Sequence, residues 1–211
     1  MKTRFSLYSL IGIIFGLFLF ISLPNSDAAD NFDQLRKDAA NIKTIKAHFV
    51  QKKSMKILSK PLVSEGQFYY IAPDSFRWEY LKPLRSVVIV HKGETKRYIA
   101  SGGKMVEDKT GGVQAMKIVL NEIAGWMSGK FDQNPSFAAT LKEGIYTEIT
   151  LTPVGKSMAG MIEKIKITLS KKAAAIKSVK IIESANASTE INFSNVEINK
   201  VISDSTFQDV E

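Results

Sequence analysis

Cysteine is absent from the 211 residues, and histidine occurs only twice, as His48 and His91. Without cysteine no disulfide can form, so packing alone must stabilise the fold. The two histidines stand apart in the chain, and no His/Cys/Asp spacing of a zinc site, nucleophile turn or phosphate-binding loop accompanies them. We therefore predict that the protein is not an enzyme and that it has no catalytic residue, metal or cofactor.

Long apolar runs are also scarce, and the one that occurs lies at the N-terminus. Two basic residues precede the run from Tyr8 to Leu23, and Ser26-Asp27-Ala28 then provides a small-x-small cleavage pattern. The run is shorter than the roughly 20 residues that span a bilayer. We predict a signal peptide over residues 1–28, with cleavage after Ala29 as the alternative, and one periplasmic domain over residues 29–211. An uncleaved membrane anchor is the competing interpretation.

Acidic residues are outnumbered, 21 to 29, and the formal net charge is +8. The basic residues are scattered, and the longest groups are pairs such as Lys52-Lys53 and Lys96-Arg97. Export and the lack of a basic run argue against nucleic acid as a partner. A basic exported protein is instead expected to be attracted to anionic lipid headgroups or to acidic partner surfaces.

Apolar periodicity predicts one helix at the start of the mature chain and another in the middle. The first is expected to begin with a cap at Asp30 and to end near Lys43, since its apolar residues share one face: Phe32, Leu35, Ala39 and Ile42. The second covers residues 114–127 and is expected to end at Gly129, with Met116, Leu120, Ile123 and Met127 on one face. Trp126 either packs as part of this lid helix or contacts a partner or membrane surface.

Most of the remaining chain alternates apolar and polar residues, which predicts β-strands. Roughly ten to eleven strands are separated by turns too short for parallel crossovers, so the sheet must be mostly antiparallel. Residues 136–141 are expected to form one helical turn. Two or three helices cannot fill the mouth of such a sheet tightly. The predicted fold is therefore mainly β (α+β): a half-open antiparallel barrel covered by a helical lid.

The segment Pro73–Pro83 places Phe76, Trp78 and Tyr80 on one strand face, with Arg77 and Glu79 on the other. The aromatic face is either ordinary core or the lining of a lipid cavity. The opposite charges of Arg77 and Glu79 are expected to pair across strands.

Residues 49–90 resemble the LolA-type periplasmic outer-membrane lipoprotein carrier family, with departures typical of a divergent LolA-like branch. The resemblance rests on an ordered set of features: Phe49-x-Gln51-x-Lys53, Gly66-x-Phe68, and Pro73 followed by Phe76 to Tyr80 and Pro83. The tail from Ile191 to Phe207 resembles the closing pattern of the family.

The resemblance implies a carrier that shields acyl chains of lipoproteins between barrel and lid. It implies an inner-membrane ATP-driven extractor and an outer-membrane receptor as partners, and we expect a monomer. The implied cavity residues are Phe49, Phe68, Tyr70, Phe76, Trp78 and Tyr80. The implied lid residues are Met116, Leu120, Ile123, Trp126 and Met127, with Arg77 as a possible lid contact. A carrier of a phospholipid or glycolipid, and a lipid-sensing binding module, are the alternatives.

Overall fold

The computed structural model describes residues 26–108, 122–155, 162–170, 175–184, 186–208 and 210. Within these ranges eleven strands form one antiparallel sheet. The strands are β1 Thr44–Met55, β2 Leu62–Ile71, β3 Ser75–Lys82, β4 Ser86–His91, β5 Glu94–Ser101, β6 Lys104–Glu107, β7 Phe137–Lys142, β8 Glu148–Pro153, β9 Lys164–Leu169, β10 Ile176–Ser184 and β11 Ala187–Ile198. The helical elements are α1 Ser26–Ala40, residues 122–127, and a 3₁₀ helix Asp204–Phe207.

The strand order is β6-β5-β4-β3-β2-β1-β11-β10-β9-β8-β7, so β6 and β7 are the open edges. Pairing of β1 with β11 joins the two halves of the chain at the centre and sets Phe49 opposite Phe193. Strand twist curves a sheet of this width. One hydrophobic cluster unites residues from β3 on one side of the centre with residues from β8 on the other. The prediction of an antiparallel half-open barrel with a helical lid is confirmed.

Helix α1 lies over the concave face: Phe32 is buried in this hydrophobic cluster, and Ala39 is buried beside Gly129. It begins at Ser26 and ends at Ala40, so the prediction of an N-terminal cap at Asp30 is wrong. The two alanines after Asp27 are good helix formers and extend the helix backwards past Asp30. After α1, the amide of Ile42 donates to the carbonyl of Ala39 at 2.9 Å and leads the chain into β1.

One of the two edge strands differs from the sequence-based expectation. The sequence predicts a helical turn over residues 136–141, but Phe137–Lys142 pairs with β8 as strand β7. An alanine pair gives this stretch a helical character, and only the neighbouring strand decides its conformation. At the other edge, β6 pairs with β5 and brings Asp108 to within 2.9 Å of Arg97, where the carboxylate is buried in an ion pair.

The convex face of β3 and β4 carries a second, smaller hydrophobic cluster built from Val87, Ile89 and Phe207. The 3₁₀ helix folds back over this face, and the ring of His91 stacks on Phe207 at 5.1 Å between centroids. None of the helices in the described ranges is both long and apolar enough to cross a bilayer.

Candidate functional site

The concave face carries an aromatic cluster at its centre. The ring of Phe49 lies 4.6 Å from that of Trp78 and 5.3 Å from that of Tyr80, the latter edge-on. Phe68 and Phe193 lie 5.4 Å and 6.0 Å from the Trp78 ring. These separations are those of favourable tilted and edge-to-face aromatic pairs. The cluster is therefore a continuous apolar surface that runs across β1, β2, β3 and β11.

Gly66 allows this cluster to form. It pairs with Phe49 on one side and with Tyr80 on the other. A Cβ atom at this position would lie 2.5 Å from Cζ of Phe49 and 2.0 Å from the carbonyl oxygen of Glu79. Only glycine lets the Phe49 ring cover the backbone of β2.

We call residues 122–132 the lid segment. Gly129 follows its helix and stops it, as predicted, with φ of 74°. The amide of Lys130 donates to the carbonyl of Gly125 at 2.9 Å, and the amide of Gly129 donates to the carbonyl of Trp126 at 3.0 Å. This is the Schellman arrangement. The resulting turn keeps Trp126 and its neighbours against the sheet.

The lid segment is buried against the sheet by its apolar residues. Trp126, Met127 and Phe131 are members of the main hydrophobic cluster, and Ile123 packs against it. Trp126 is only 5% exposed. While the lid segment is packed on the sheet, this side chain is therefore not available to a partner or membrane surface. The α-carbon of Arg36 would lie 2.9 Å from a Cβ at Gly129, which shows how closely the turn approaches α1.

Few polar contacts fasten the described lid segment to the rest of the molecule. The Tyr70 hydroxyl lies 3.2 Å from Oγ of Ser128 and donates to the carbonyl of Pro73 at the same distance. Nη1 of Arg36 on α1 donates to Asp132 at 2.6 Å. Burial raises the pKa of Tyr70, and its hydrogen bond with Ser128 only partly offsets the rise. Most of the attachment is therefore apolar packing.

Polar side chains lie beyond the aromatic cluster on the concave face. The Tyr80 hydroxyl donates to Oε1 of Gln51 at 2.9 Å. Burial raises the pKa of Tyr80, and polar contacts with Trp78 and Gln51, which lower it, offset only part of the rise. Nε1 of Trp78 is buried and makes no well-formed hydrogen bond with the described residues. Two residues beyond Gln51 in β1, Lys53 pairs with Glu183, so the face is apolar at its centre and polar towards one end.

Five of the predicted cavity residues are almost completely buried, and Tyr80 is partly buried beside them. They belong to the main cluster or pack against it: Phe49, Phe68, Tyr70, Phe76, Trp78 and Tyr80. In this structure they form a closed core, and a ligand can reach them only if α1 or the lid segment separates from the sheet. Sequence reasoning missed Phe193 as a member, although its alternation with Ile191 placed it on the same face.

The predicted lid residues divide into two groups. Met116 and Leu120 lie outside the described residues, whereas Ile123, Trp126 and Met127 cover the concave face. Arg77 lies on the convex side, where Nη1 donates to the carbonyl of Thr206 at 2.9 Å. It also pairs with Glu79 at 2.8 Å along the same strand rather than across strands. The expectation that Arg77 contacts the lid is not met by the described lid segment.

Comparison with known proteins agrees with this geometry. Residues 40–209 match the family described as outer membrane lipoprotein carrier protein LolA. The chain belongs to the LolA family. An outer-membrane lipoprotein carrier protein of Dechloromonas aromatica (strain RCB) is 26% identical over 200 residues, which cover 90% of this chain and 88% of the relative.

Solved structures support the fold. An uncharacterized conserved protein from Thermus thermophilus aligns with a TM-score of 0.54 and 9% identity, over 87% of this chain and 94% of its own. A chain of the MucA/MucB complex of Pseudomonas aeruginosa aligns with a TM-score of 0.52 and 14% identity. The alignment covers 88% of this chain but 62% of that one, so the LolA-family chain spans less than two thirds of its length. At these identities the likeness is one of fold.

The LolA family is a family of carrier proteins, not of enzymes, which confirms the prediction that this protein is not an enzyme. Carriers of the family are periplasmic, bind lipoproteins and work with membrane transport components.

Proposed function

We propose that this protein is exported through a cleaved signal peptide and carries acylated lipoproteins through the periplasm from the inner to the outer membrane. The observation that supports this function is the continuous aromatic face of β1, β2, β3 and β11 beneath α1 and the lid segment. Acyl chains would occupy the space that opens when these helices move away from that face.

The energetics of the site favour reversible opening. Separating the lid segment breaks the Tyr70–Ser128 hydrogen bond, whose net contribution is about 0.5–1.5 kcal/mol. The partly exposed Arg36–Asp132 pair contributes at most about 1 kcal/mol. An acyl chain on the aromatic face replaces the apolar packing of the lid, and each methylene that it buries contributes about 0.8 kcal/mol. A bound acyl chain can therefore hold the lid open.

The polar end of the face fits the linkage region of a lipoprotein better than it fits acyl chains. Gln51, Tyr80 and the Lys53–Glu183 pair offer hydrogen-bonding groups just beyond the aromatic cluster. Ester and amide carbonyls between the acyl chains and the protein moiety would lie there. The protein moiety would remain in solution outside the barrel.

A lid that only opens and closes at equilibrium would load and release cargo equally well at either membrane. Transfer in one direction therefore needs an external source of energy. We infer that an inner-membrane ATP-driven extractor loads the protein and that an outer-membrane receptor unloads it, as in the family. The carrier acts as a monomer in this scheme.

Native mass spectrometry of the mature protein, purified from its own periplasm without detergent, tests the proposal. An acylated lipoprotein bound to the wild-type chain is the expected result. A Trp126→Ser variant should bind more cargo, because it removes an apolar side chain that packs the lid segment against the sheet and competes with the acyl chains for that face. The matched control is Val201→Ser, which alters a fully exposed residue. A phospholipid or glycolipid found bound would show that the cargo is that lipid and not a lipoprotein. A protein that binds none of the added lipids would contradict the carrier function.

A further inference from the structure

Three hairpin connections lie together at one end of the sheet. Strand pairing sets Lys53 opposite Leu62, Tyr80 opposite Ser86, and Ser101 opposite Lys104. Alternate hairpins of an antiparallel meander lie at the same end, and two strand spacings separate neighbouring connections by about 10 Å. We call residues 56–62, 81–86 and 101–104 the basic end of the molecule.

Large apolar side chains protrude from the basic end. Ile57 is 89% exposed, Leu84 is 79% exposed and Leu62 is 55% exposed. Single exposed apolar residues are common on protein surfaces, but a group on adjacent loop tips marks an interaction site. Neither Ile57 nor Leu84 belongs to a hydrophobic cluster of the described structure.

The charged residues within these three segments are all basic. The basic end contains Lys56, Lys60, Lys82, Arg85 and Lys104, and it contains no Asp or Glu. Lys82 pairs with Glu65 and Arg85 pairs with Glu79. The other three are exposed and form no ion pair with the described residues. Apolar tips among uncompensated cations are complementary to a membrane surface with anionic headgroups.

We propose that the basic end docks on an anionic phospholipid surface, with Ile57 and Leu84 inserted at the headgroup level. The concave face continues to this end, because Leu62 lies on the same side of β2 as Gly66 and Phe68. A docked molecule would therefore present the end of its acyl-binding face to the bilayer. This surface goes beyond the proposed carrier function, which could rely on protein partners alone.

Vesicle co-sedimentation with the full mature chain tests the docking. Wild-type protein should bind vesicles of phosphatidylethanolamine and phosphatidylglycerol, and it should bind phosphatidylcholine vesicles much less. Added salt should release it, since the cations act through screened electrostatics. Each lysine near an anionic surface contributes about fivefold to the affinity.

Two double variants separate the apolar and the charged contribution. Lys56→Gln with Lys60→Gln should weaken binding by roughly 25-fold, following about fivefold for each lysine. Ile57→Ser with Leu84→Ser should reduce binding without changing the charge. Controls at the opposite end of the sheet are Lys142→Gln with Lys200→Gln, and Ile145→Ser, which alter exposed residues of the same kinds. All variants should keep the wild-type unfolding midpoint.

The outcomes separate this inference from the carrier function. Loss of vesicle binding in the basic-end variants, with acyl-chain binding in solution unchanged, supports the docking surface. Wild-type protein that ignores anionic vesicles overturns it, even if the protein carries lipid. Equal losses in the basic-end and control variants also overturn it, because general charge would then account for the binding.

Discussion

Substitution of Gly66 by alanine perturbs the site at its tightest point. The added Cβ would lie 2.0 Å from the carbonyl oxygen of Glu79, and 2.5 Å and 2.7 Å from two atoms of the Phe49 ring. The Glu79 oxygen belongs to the backbone of the paired strand, so it cannot move independently. The ring of Phe49 must move, and strands β2 and β3 must separate locally.

The magnitude follows from two contributions. Overpacking a filled core costs about 1–3 kcal/mol. Displacing Phe49 also weakens its contacts with Trp78 and Tyr80, and each aromatic pair contributes about 0.5–1.5 kcal/mol. We expect Gly66→Ala to lower the free energy of unfolding by about 2–6 kcal/mol. For a domain of this size, that corresponds to a decrease in Tm of roughly 5–20 °C.

Urea unfolding followed by circular dichroism measures the effect. Gly125→Ala is the control, because a Cβ there meets no atom within 4 Å and should stabilise the helix by about 0.5–1 kcal/mol. The effect of Gly66→Ala should shrink in a Phe49→Ala background, since part of the clash is then absent. A Gly66→Ala protein within about 0.5 kcal/mol of wild type would refute the packing described for this face.

Three further predictions concern polar groups. Glu79→Gln should cost about 3–5 kcal/mol of unfolding free energy, because it leaves the buried Arg77 without its carboxylate. Tyr70→Phe should increase uptake of a fluorescent fatty acid roughly 2- to 10-fold, since it removes a fastening of the lid worth about 0.5–1.5 kcal/mol. Burial acts to raise the pKa of Glu183, but hydrogen bonds from Lys53 and Thr189 outweigh it and leave this pKa below 4.5. The carboxylate therefore stabilises the fold above pH 4.5, and this stabilisation should disappear as the pH falls through the lowered pKa, with a smaller pH dependence in Lys53→Gln measured by urea unfolding.

Each of these predictions has a control within the chain. Arg85→Gln removes the partly exposed partner of Glu79 and should cost less than about 1 kcal/mol; a cost equal to that of Glu79→Gln would contradict the burial argument. Tyr69→Phe alters a hydroxyl that bonds Gln67 instead of the lid segment, and should leave uptake unchanged. Unfolding curves of wild type and Lys53→Gln with the same pH dependence would contradict the assignment for Glu183.

The parts of the fold that depend on local periodicity could be predicted from the sequence. Alternation in Ile165, Ile167 and Leu169 predicts a strand with one buried face, and these residues are buried in β9. The edge strand β7 could not be predicted, because its short Ala-containing sequence becomes a strand only through pairing with β8. For helix α1, periodicity predicts the buried face but not the first turn.

In the site, too, some residues can be predicted from local periodicity and others only from the pairing of distant strands. Period two places Phe76 and Trp78 on one face without any knowledge of the fold. Phe193 joins them only because β11 pairs with β1, which brings together residues from opposite ends of the chain. Arg77 contacts the carbonyl of Thr206, and nothing in its local sequence reveals that the 3₁₀ helix near the C-terminus returns to the convex face.

The most direct test of acyl-chain binding uses the two tryptophans of the chain as reporters. Trp78 on the sheet and Trp126 on the lid are the only tryptophans, and each is 5% exposed. Fluorescence should be quenched when the protein binds a lipid with brominated acyl chains, in the wild type and in the Trp78→Phe and Trp126→Phe variants alike. The same lipid without bromine should bind without quenching. Stoichiometric binding of the brominated lipid that leaves both tryptophans unquenched would contradict the account, because the acyl chains would then lie away from the space between sheet and lid.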